Sequence, residues 1–325
     1  MKLFLTSAYA THTLLDQLVK LVSSDRIGRH NICHSAASAD AILFVEDGHF
    51  NDYAYRQVQR HPLVKQFPNK TFIYTEADKP FHTLPGLYTS MPAGRFRNQE
   101  HVAFPFVRTM NQYVKHISKW QVEQDWPFSF VGAMSSNLRK AVFKLSDLSP
   151  GIRDTSEFNF WHSTPSEKAS QGLFFAESMA RSRFSLCPRG IGTTSFRPYE
   201  SMVAGRAPVI ISDNWVPPAH VNWDFAVFVR ESEIANIPQL LESMKDEAIE
   251  RGKAARAAWE SVYAPDVIFD TAACSVEALL VTAPKHEKPA FSFNEHFNLG
   301  RVATELEMTM RDLAQKYKQT KQSAL

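Results

Sequence analysis

FSLCPRGIGTTSFRPYESMVAGRAPVIISDNWVP, residues 184–217, decides the fold. It opens with an apolar, strand-like run (residues 184–187) that enters a Pro-Arg-Gly turn. A Gly/Thr/Ser loop follows, then a helix-like segment carrying Arg197 and Glu200, then a second apolar run over residues 207–212. Two arginines, two loop glycines and a glutamate thus meet where a strand ends and a helix begins. In open α/β sheets that is where diphosphates and nucleotides bind, because backbone amides and the positive end of the helix point there. Arg189, Gly190 and Gly192 form a turn whose amides can approach an anion. The helix is expected to start near Thr193 and Ser195, placing Arg197 about one turn inside it. A planar, permanently charged guanidinium suits two phosphate oxygens. Glu200, three residues on, is placed to accept hydrogen bonds from ribose hydroxyls.

Outward from this stretch, apolar runs alternate with helical spacing. Strands are expected at residues 2–6, 41–45, 71–74 and 101–106. Helical spacing covers 12–22 and, interrupted near Pro62, 53–67. Residues 79–99, KPFHTLPGLYTSMPAGRFRNQ, read as a long Pro/Gly-containing loop. A second α/β unit begins near Asp125, with strands at 128–133, 151–155 and 226–229 and helices at 138–145, 167–182 (capped at Ser166), 234–244, 246–262 and 265–280. A terminal helix is expected at 302–317. Alternation of this kind predicts parallel sheets covered on both faces. The expected division is 1–115 as an acceptor-side domain, 116–290 as a donor domain, and 291–325 as a C-terminal helix and polar tail.

Bulk properties narrow the function. The 325 residues suffice for two domains, and a formal net charge of +2 gives no case for a nucleic-acid binder. The three cysteines, Cys33, Cys187 and Cys274, are far apart and show no metal-ligand spacing, so they read as free thiols. Neither a secretory leader nor a membrane span is present, so a cytoplasmic protein is expected, with peripheral membrane contact left open.

Residues 187–215 resemble the donor-site signature of exostosin-family glycosyltransferases. The shared features are Cys-Pro-Arg-Gly, Ser-Phe-Arg, Tyr-Glu-Ser, Ala-Gly and Pro-Val-Ile-Ile-Ser-Asp-x-Trp. FSFVGAMSSNLRKAVFKL (128–145) resembles the family's strand–Gly–helix, making Arg139 a second phosphate-side arginine, and NWDFAVFVRESEIANIPQLLESM (222–244) resembles the segment after the donor loop. The likeness covers residues 125–244 well; the first 110 match only in pattern. It implies an α/β fold of GT-B type: two Rossmann-like, doubly wound domains facing a cleft, with a C-terminal helix free to return to the first. It also implies a nucleotide-sugar donor, usually UDP-linked, a glycan or glycoconjugate acceptor, inversion at the anomeric carbon, and no cofactor or metal; no Asp-x-Asp is present. Leaving-group charge then falls to Arg139, Arg189 and Arg197 with helix amides.

Inverting transfer also needs a base from a first-domain loop. Asp78 ranks first, then Glu76, Asp47, His82 and His12; each has an ordinary turn or cap role as its competing reading. Trp161, His162 and Trp215 are candidates for stacking on sugar or base, and Arg95 and Arg97 for an anionic acceptor. Two other readings stand beside transfer. One is a non-catalytic nucleotide-sugar-binding subunit. The other is a nucleotide-sugar modifying enzyme such as an epimerase or dehydrogenase, for which no Gly-x-Gly-x-x-Gly follows the first strand and no Tyr-x-x-x-Lys lies in a helix position that would serve hydride chemistry.

Overall fold

The computed structural model describes residues 1–48, 52, 54–107, 111–158 and 163–285, and beyond these 303, 306, 307, 309 and 310. Two all-parallel sheets carry the architecture. The first contains β1 (Lys2–Thr6), β2 (Asn31–Ile32), β3 (Ala41–Glu46), β4 (Thr71–Thr75), β5 (Gly86–Tyr88) and β6 (His101–Ala103), in the order β2-β1-β3-β4-β5-β6. The second contains β7 (Trp126–Gly132), β8 (Gly151–Asp154), β9 (Ser182–Pro188), β10 (Ala207–Ile211) and β11 (Val227–Val229), in the order β11-β10-β9-β7-β8. Both sheets begin at an inner strand, step outward once, then reverse and run to the far edge. The reversal leaves a crevice at the carboxyl ends of β1/β3 and of β7/β9.

Period-2 alternation shows why these runs form central strands. On β3, Ala41, Leu43 and Val45 enter one core while Ile42 and Phe44 enter another. On β10, Ala207, Val209 and Ile211 face one layer and Ile210 the other. A strand buried on both faces must read as a continuous apolar run. The helices read differently. α1 (Thr13–Ser24) buries Leu14, Leu18 and Leu21, one stripe of a 3.6-residue period. Each such leucine contributes about 1.5–3 kcal/mol when fully buried.

Around the first sheet also lie the short helices α2 (Arg56–Arg60) and α3 (Pro62–Gln66), divided at His61, whose ring caps α3 by accepting from the Leu63 amide. The second unit adds α4 (Asn137–Phe143), α5 (Pro165–Ala180), α6 (Arg197–Ala204), α7 (Ile237–Ser243), α8 (Ala248–Val262) and α9 (Ile268–Thr282). The cap of α5 is Thr164 rather than Ser166: Thr164 Oγ1 accepts from the Glu167 amide while Glu167 accepts from the Thr164 amide. That reciprocal box satisfies two orphan amides and outcompetes a lone serine.

Two short strands escape the sequence pattern. β5 lies inside the stretch read as a loop and exists because Gly86 has no side chain; a Cβ there would lie 1.9 Å from the Ile73 carbonyl oxygen. β2 is only two residues long. The terminal helix expected at 302–317 falls mostly outside the described residues, but Glu307, within a described helical fragment, pairs with Lys79 of the first unit at 2.5 Å. α9, placed with the donor domain by sequence, packs on α1, β3 and β5 of the first sheet. The chain therefore does return to its first unit, one helix earlier than expected. One apolar core runs from Leu3 and Phe104 through Tyr199 and Trp259 to Phe269, binding the two units together.

Candidate functional site

The carboxyl ends of β7 and β9 bring the expected donor residues to one place. β9 delivers Arg189, whose amide donates to Ile211 O at 3.1 Å and so keeps the turn in register with β10. The loop is fixed again where Ser212 Oγ donates to Thr193 O at 2.7 Å. α6 starts at Arg197, not at Thr193, because Pro198 favours the first turn of a helix and no side chain caps Phe196. Arg197 therefore sits at the positive end of α6 instead of one turn inside.

Arg197 is partly buried, its guanidinium between two rings, 4.5 Å from the Phe130 centroid and 5.0 Å from that of Phe175. Its Nη2 donates to Val131 O at 2.6 Å. Its Nε and Nη1 have no hydrogen-bond partner, and burial pushes its pKa down. Arg139 lies against the same Phe130 ring at 5.4 Å. Its Nη1 donates to Ala133 O and its Nε to Arg189 O, both at 3.2 Å. Burial, and then the Arg197 charge, lower its pKa to about 9, while Asp78 raises it. Two buried guanidiniums this close form an electrostatic environment that a phosphate dianion relieves.

Buried hydroxyls of Ser90, Ser135, Thr193 and Ser195 likewise lack hydrogen-bond partners. Ser135 lies 3.9 Å from where a Cβ on Gly190 would stand, and Arg139 Nη2 lies 3.4 Å from the same point. At Gly192 the approach is closer: a Cβ would meet Asp78 O at 2.6 Å and Ser90 Oγ at 2.9 Å. The donor turn and the loop after β4 are in direct contact across the cleft, which a further bond, Ala93 N to Asn214 O at 2.9 Å, holds together. Ser90 and Ser135 were not singled out in sequence. Ser135 had a signal, lying between the β7 glycine and the helix capped by Ser136 Oγ.

Arg189 departs from the expected clamp. Its Nε and Nη2 grip both oxygens of Glu231 at 2.6 and 2.8 Å, and that pair raises the guanidinium pKa and lowers the carboxyl's. Glu231 thus competes for the fork that a diphosphate would need. Glu200 is buried, with its pKa pushed up by burial against the opposing pull of Arg197, and Oε1 accepts from the Asn111 amide at 3.2 Å.

Among the base candidates, Asp78 lies against the donor turn and within electrostatic reach of Arg139. Glu76 is buried, its Oε1 accepting from Tyr74 Oη at 2.7 Å and from the Val107 amide at 2.6 Å; this ties β4 to the following crossing. Asp47 caps α1 through Thr13 Oγ1 and the Leu14 amide. His82 Nδ1 meets His101 Nε2 at 2.8 Å, and His12 pairs with Asp16. Trp215 is buried, packed edge-on against Trp223 and parallel to Phe228. Arg95 rests over Phe81 and Arg97 pairs with Glu100. The Cys187 thiol is buried and pushed up to about 11, unsuited to nucleophilic work. Trp161 and His162 lie outside the described residues.

No helix among the described residues is long and apolar enough to cross a membrane. Comparison with known proteins points one way. A probable glycosyltransferase of Arabidopsis thaliana is 37% identical over 84 residues, 25% of this chain and 18% of that protein. An Exostosin-1 homolog of Caenorhabditis elegans is 35% identical over 94 residues, 28% of this chain and 22% of that protein. The chain thus aligns with about a fifth of the length of these curated relatives. The crystal structure of TarM aligns over 73% of this chain and 54% of its own, with 7% identity and a TM-score of 0.41. The family model of the Exostosin GT47 domain matches residues 59–244, reaching back past Asp78 and Glu76 into the first unit. That span is more than half of the chain, and this protein belongs to the exostosin GT47 family.

Proposed function

We propose that the protein is an inverting glycosyltransferase that moves a sugar from a nucleotide-sugar, with UDP as the nucleotide, to a glycan or glycoconjugate acceptor. The observation that carries the reading is Arg197: a partly buried side chain whose buried Nε and Nη1 lack hydrogen-bond partners, at the end of β7 and the start of α6. Buried donors are normally paired, and exceptions mark sites that meet a ligand. Around it, Arg139, Ser135, Thr193 and Ser195 supply further donors, and the absence of a side chain at Gly190 lets Arg139 Nη2 and Ser135 Oγ approach the turn.

In this scheme the acceptor oxygen attacks the anomeric carbon as the bond to the diphosphate breaks on the opposite face. Asp78 takes the acceptor hydroxyl proton, and Arg139 and Arg197 hold the charge that accumulates on the departing diphosphate. Arg189 joins them by exchanging Glu231 for a phosphate oxygen. Glu200 is assigned to the ribose hydroxyls, and Glu76 acts as the brace that fixes the loop of Asp78. No metal is assigned to the transfer, because the buried arginines supply the positive charge the leaving group requires.

A thermal-shift panel of UDP, GDP, CMP and their sugars, followed by turnover of the stabilising sugar with glycan acceptors, tests the reading. A ligand that binds only the native state raises its stability by mass action. The expected result is a shift with UDP and its sugars and release of UDP on adding acceptor. Failure of every nucleotide to shift the protein overturns the donor site. A shift without turnover on any acceptor favours a nucleotide-sugar-binding subunit.

A further inference from the structure

We infer that the amino edge of the first sheet carries a zinc-class metal site formed by His30, Cys274 and Glu277. The three lie far apart in sequence. His30 directly precedes β2, at the edge where the Asn31 amide meets Met1 O, opposite the carboxyl ends that hold the donor residues. Cys274 and Glu277 belong to α9, where Asp270, Cys274 and Glu277 follow an i, i+4, i+7 spacing and so line one face. That face turns toward His30 because α9 packs back onto the first unit.

The ligand set and its spacing suit the metal. One imidazole nitrogen, one thiol sulfur and one carboxylate oxygen lie within 4.8 Å of one another. His30 Nε2 and Cys274 Sγ are 3.4 Å apart. Tetrahedral zinc, with bonds of about 2.0 Å to nitrogen and 2.3 Å to sulfur, separates those two atoms by about 3.5 Å. The His30 side chain is only 4% exposed, and its Nδ1 has no hydrogen-bond partner. Glu277 is exposed and leaves a path for the ion and room for a water as fourth ligand. Asp270 stands beside the site, 3.7 Å from His30 Nε2, with both oxygens taken by Arg29. It offsets the Arg29 charge and is not counted as a ligand.

Binding replaces the Cys274 thiol proton by the metal: the S–H bond breaks, an S–metal bond forms, and the proton passes to solvent. The effect is a clasp between β2 of the first unit and the helix that returns from the second. This holds whether or not the proposed transfer is right.

Chelator-stripped full-length protein titrated with Co²⁺ and then Zn²⁺ tests the assignment. One equivalent of Co²⁺ should give a near-ultraviolet thiolate-to-metal band that Zn²⁺ abolishes, and Zn²⁺ should raise the melting temperature. Cys274→Ser should remove the band, Cys33→Ser should keep it, and Glu277→Gln should weaken Zn²⁺ at least about tenfold. Glu277 is exposed, so its variant tests the site even if Cys274→Ser misfolds. No band in the wild type, a band that survives Cys274→Ser, or unchanged Zn²⁺ affinity in Glu277→Gln overturns the site.

Discussion

Arg197→Met separates what a buried cation does for binding from what it does for the fold. In the free protein the guanidinium is poorly satisfied: Nη2 has Val131 O, whereas Nε and Nη1 have no partner. Each buried donor left unmade costs about 1–3 kcal/mol. Against that stand the contacts with the Phe130 and Phe175 rings, worth about 0.5–2 kcal/mol each. Methionine keeps the stem and recovers part of the ring contact through sulfur, about 0.3–1.5 kcal/mol, but leaves Val131 O short of a donor at about 1–3 kcal/mol. The two sides nearly cancel, so the free protein should change by no more than roughly 2 kcal/mol, a size ordinary for single substitutions. The site does not cancel. Loss of a preorganised donor to a developing anion costs about 2.7–4 kcal/mol, or roughly 10²–10³ in kcat. The assay is paired: melting temperature with and without UDP, and UDP release from the stabilising sugar with acceptor present. Near-normal melting, a lost nucleotide shift and turnover reduced by at least about a hundredfold are expected. Turnover within threefold of wild type, or an unchanged nucleotide shift, would refute the placement of Arg197 on the diphosphate.

Three further substitutions probe other parts of the site. Asp78→Asn should abolish transfer while the nucleotide-induced shift persists, because the proton acceptor is lost and the donor groups are not; normal turnover would remove Asp78 from the mechanism. Gly192→Ala should destabilise by about 1–3 kcal/mol and diminish nucleotide binding, since its Cβ would press on the Asp78 carbonyl at 2.6 Å; an unaffected crystal structure and melting temperature would show that the turn yields. For Glu231→Gln, pH decides. Arg189 holds the Glu231 pKa below its ordinary 4.5, so the stabilisation is present above the unfolded pKa and lost as pH falls through the folded value. The melting-temperature gap between wild type and variant should be widest near neutral pH and close below about pH 4.5; a gap independent of pH would contradict the pairing.

How much was legible in the chain follows from how local each feature is. β3, β4, β9 and β10 announce themselves because burial on both faces demands an unbroken apolar run. β5 does not, because its place in the sheet depends on a close approach at Gly86 that only the three-dimensional neighbour, Ile73, makes visible. The start of α6 was misplaced by about a turn because Thr193 and Ser195 look like caps. Their hydroxyls cap nothing and have no hydrogen-bond partner at the site. The same logic divides the arginines. Arg197 was placed from a strand–turn–helix pattern that lies within one short stretch, and Arg139 from the family resemblance of residues 128–145. The engagement of Arg189 with Glu231, 42 positions on, could not be seen.

That division also explains why the donor half is the readable half. A diphosphate is met by backbone turns and helix starts, features encoded within a few residues, so a contiguous stretch carries them. The proposed proton acceptor, Asp78, is held by a contact between units, its backbone against the Gly192 turn, and by a buried brace running from Glu76 to Val107. Neither has a local signature. Among five titratable candidates in the first unit, ordinary structural duties account for Asp47 as a helix cap, His12 beside Asp16, His82 against His101, and Glu76 at the end of β4. Asp78 has its backbone against the donor turn and its charge within the field of Arg139.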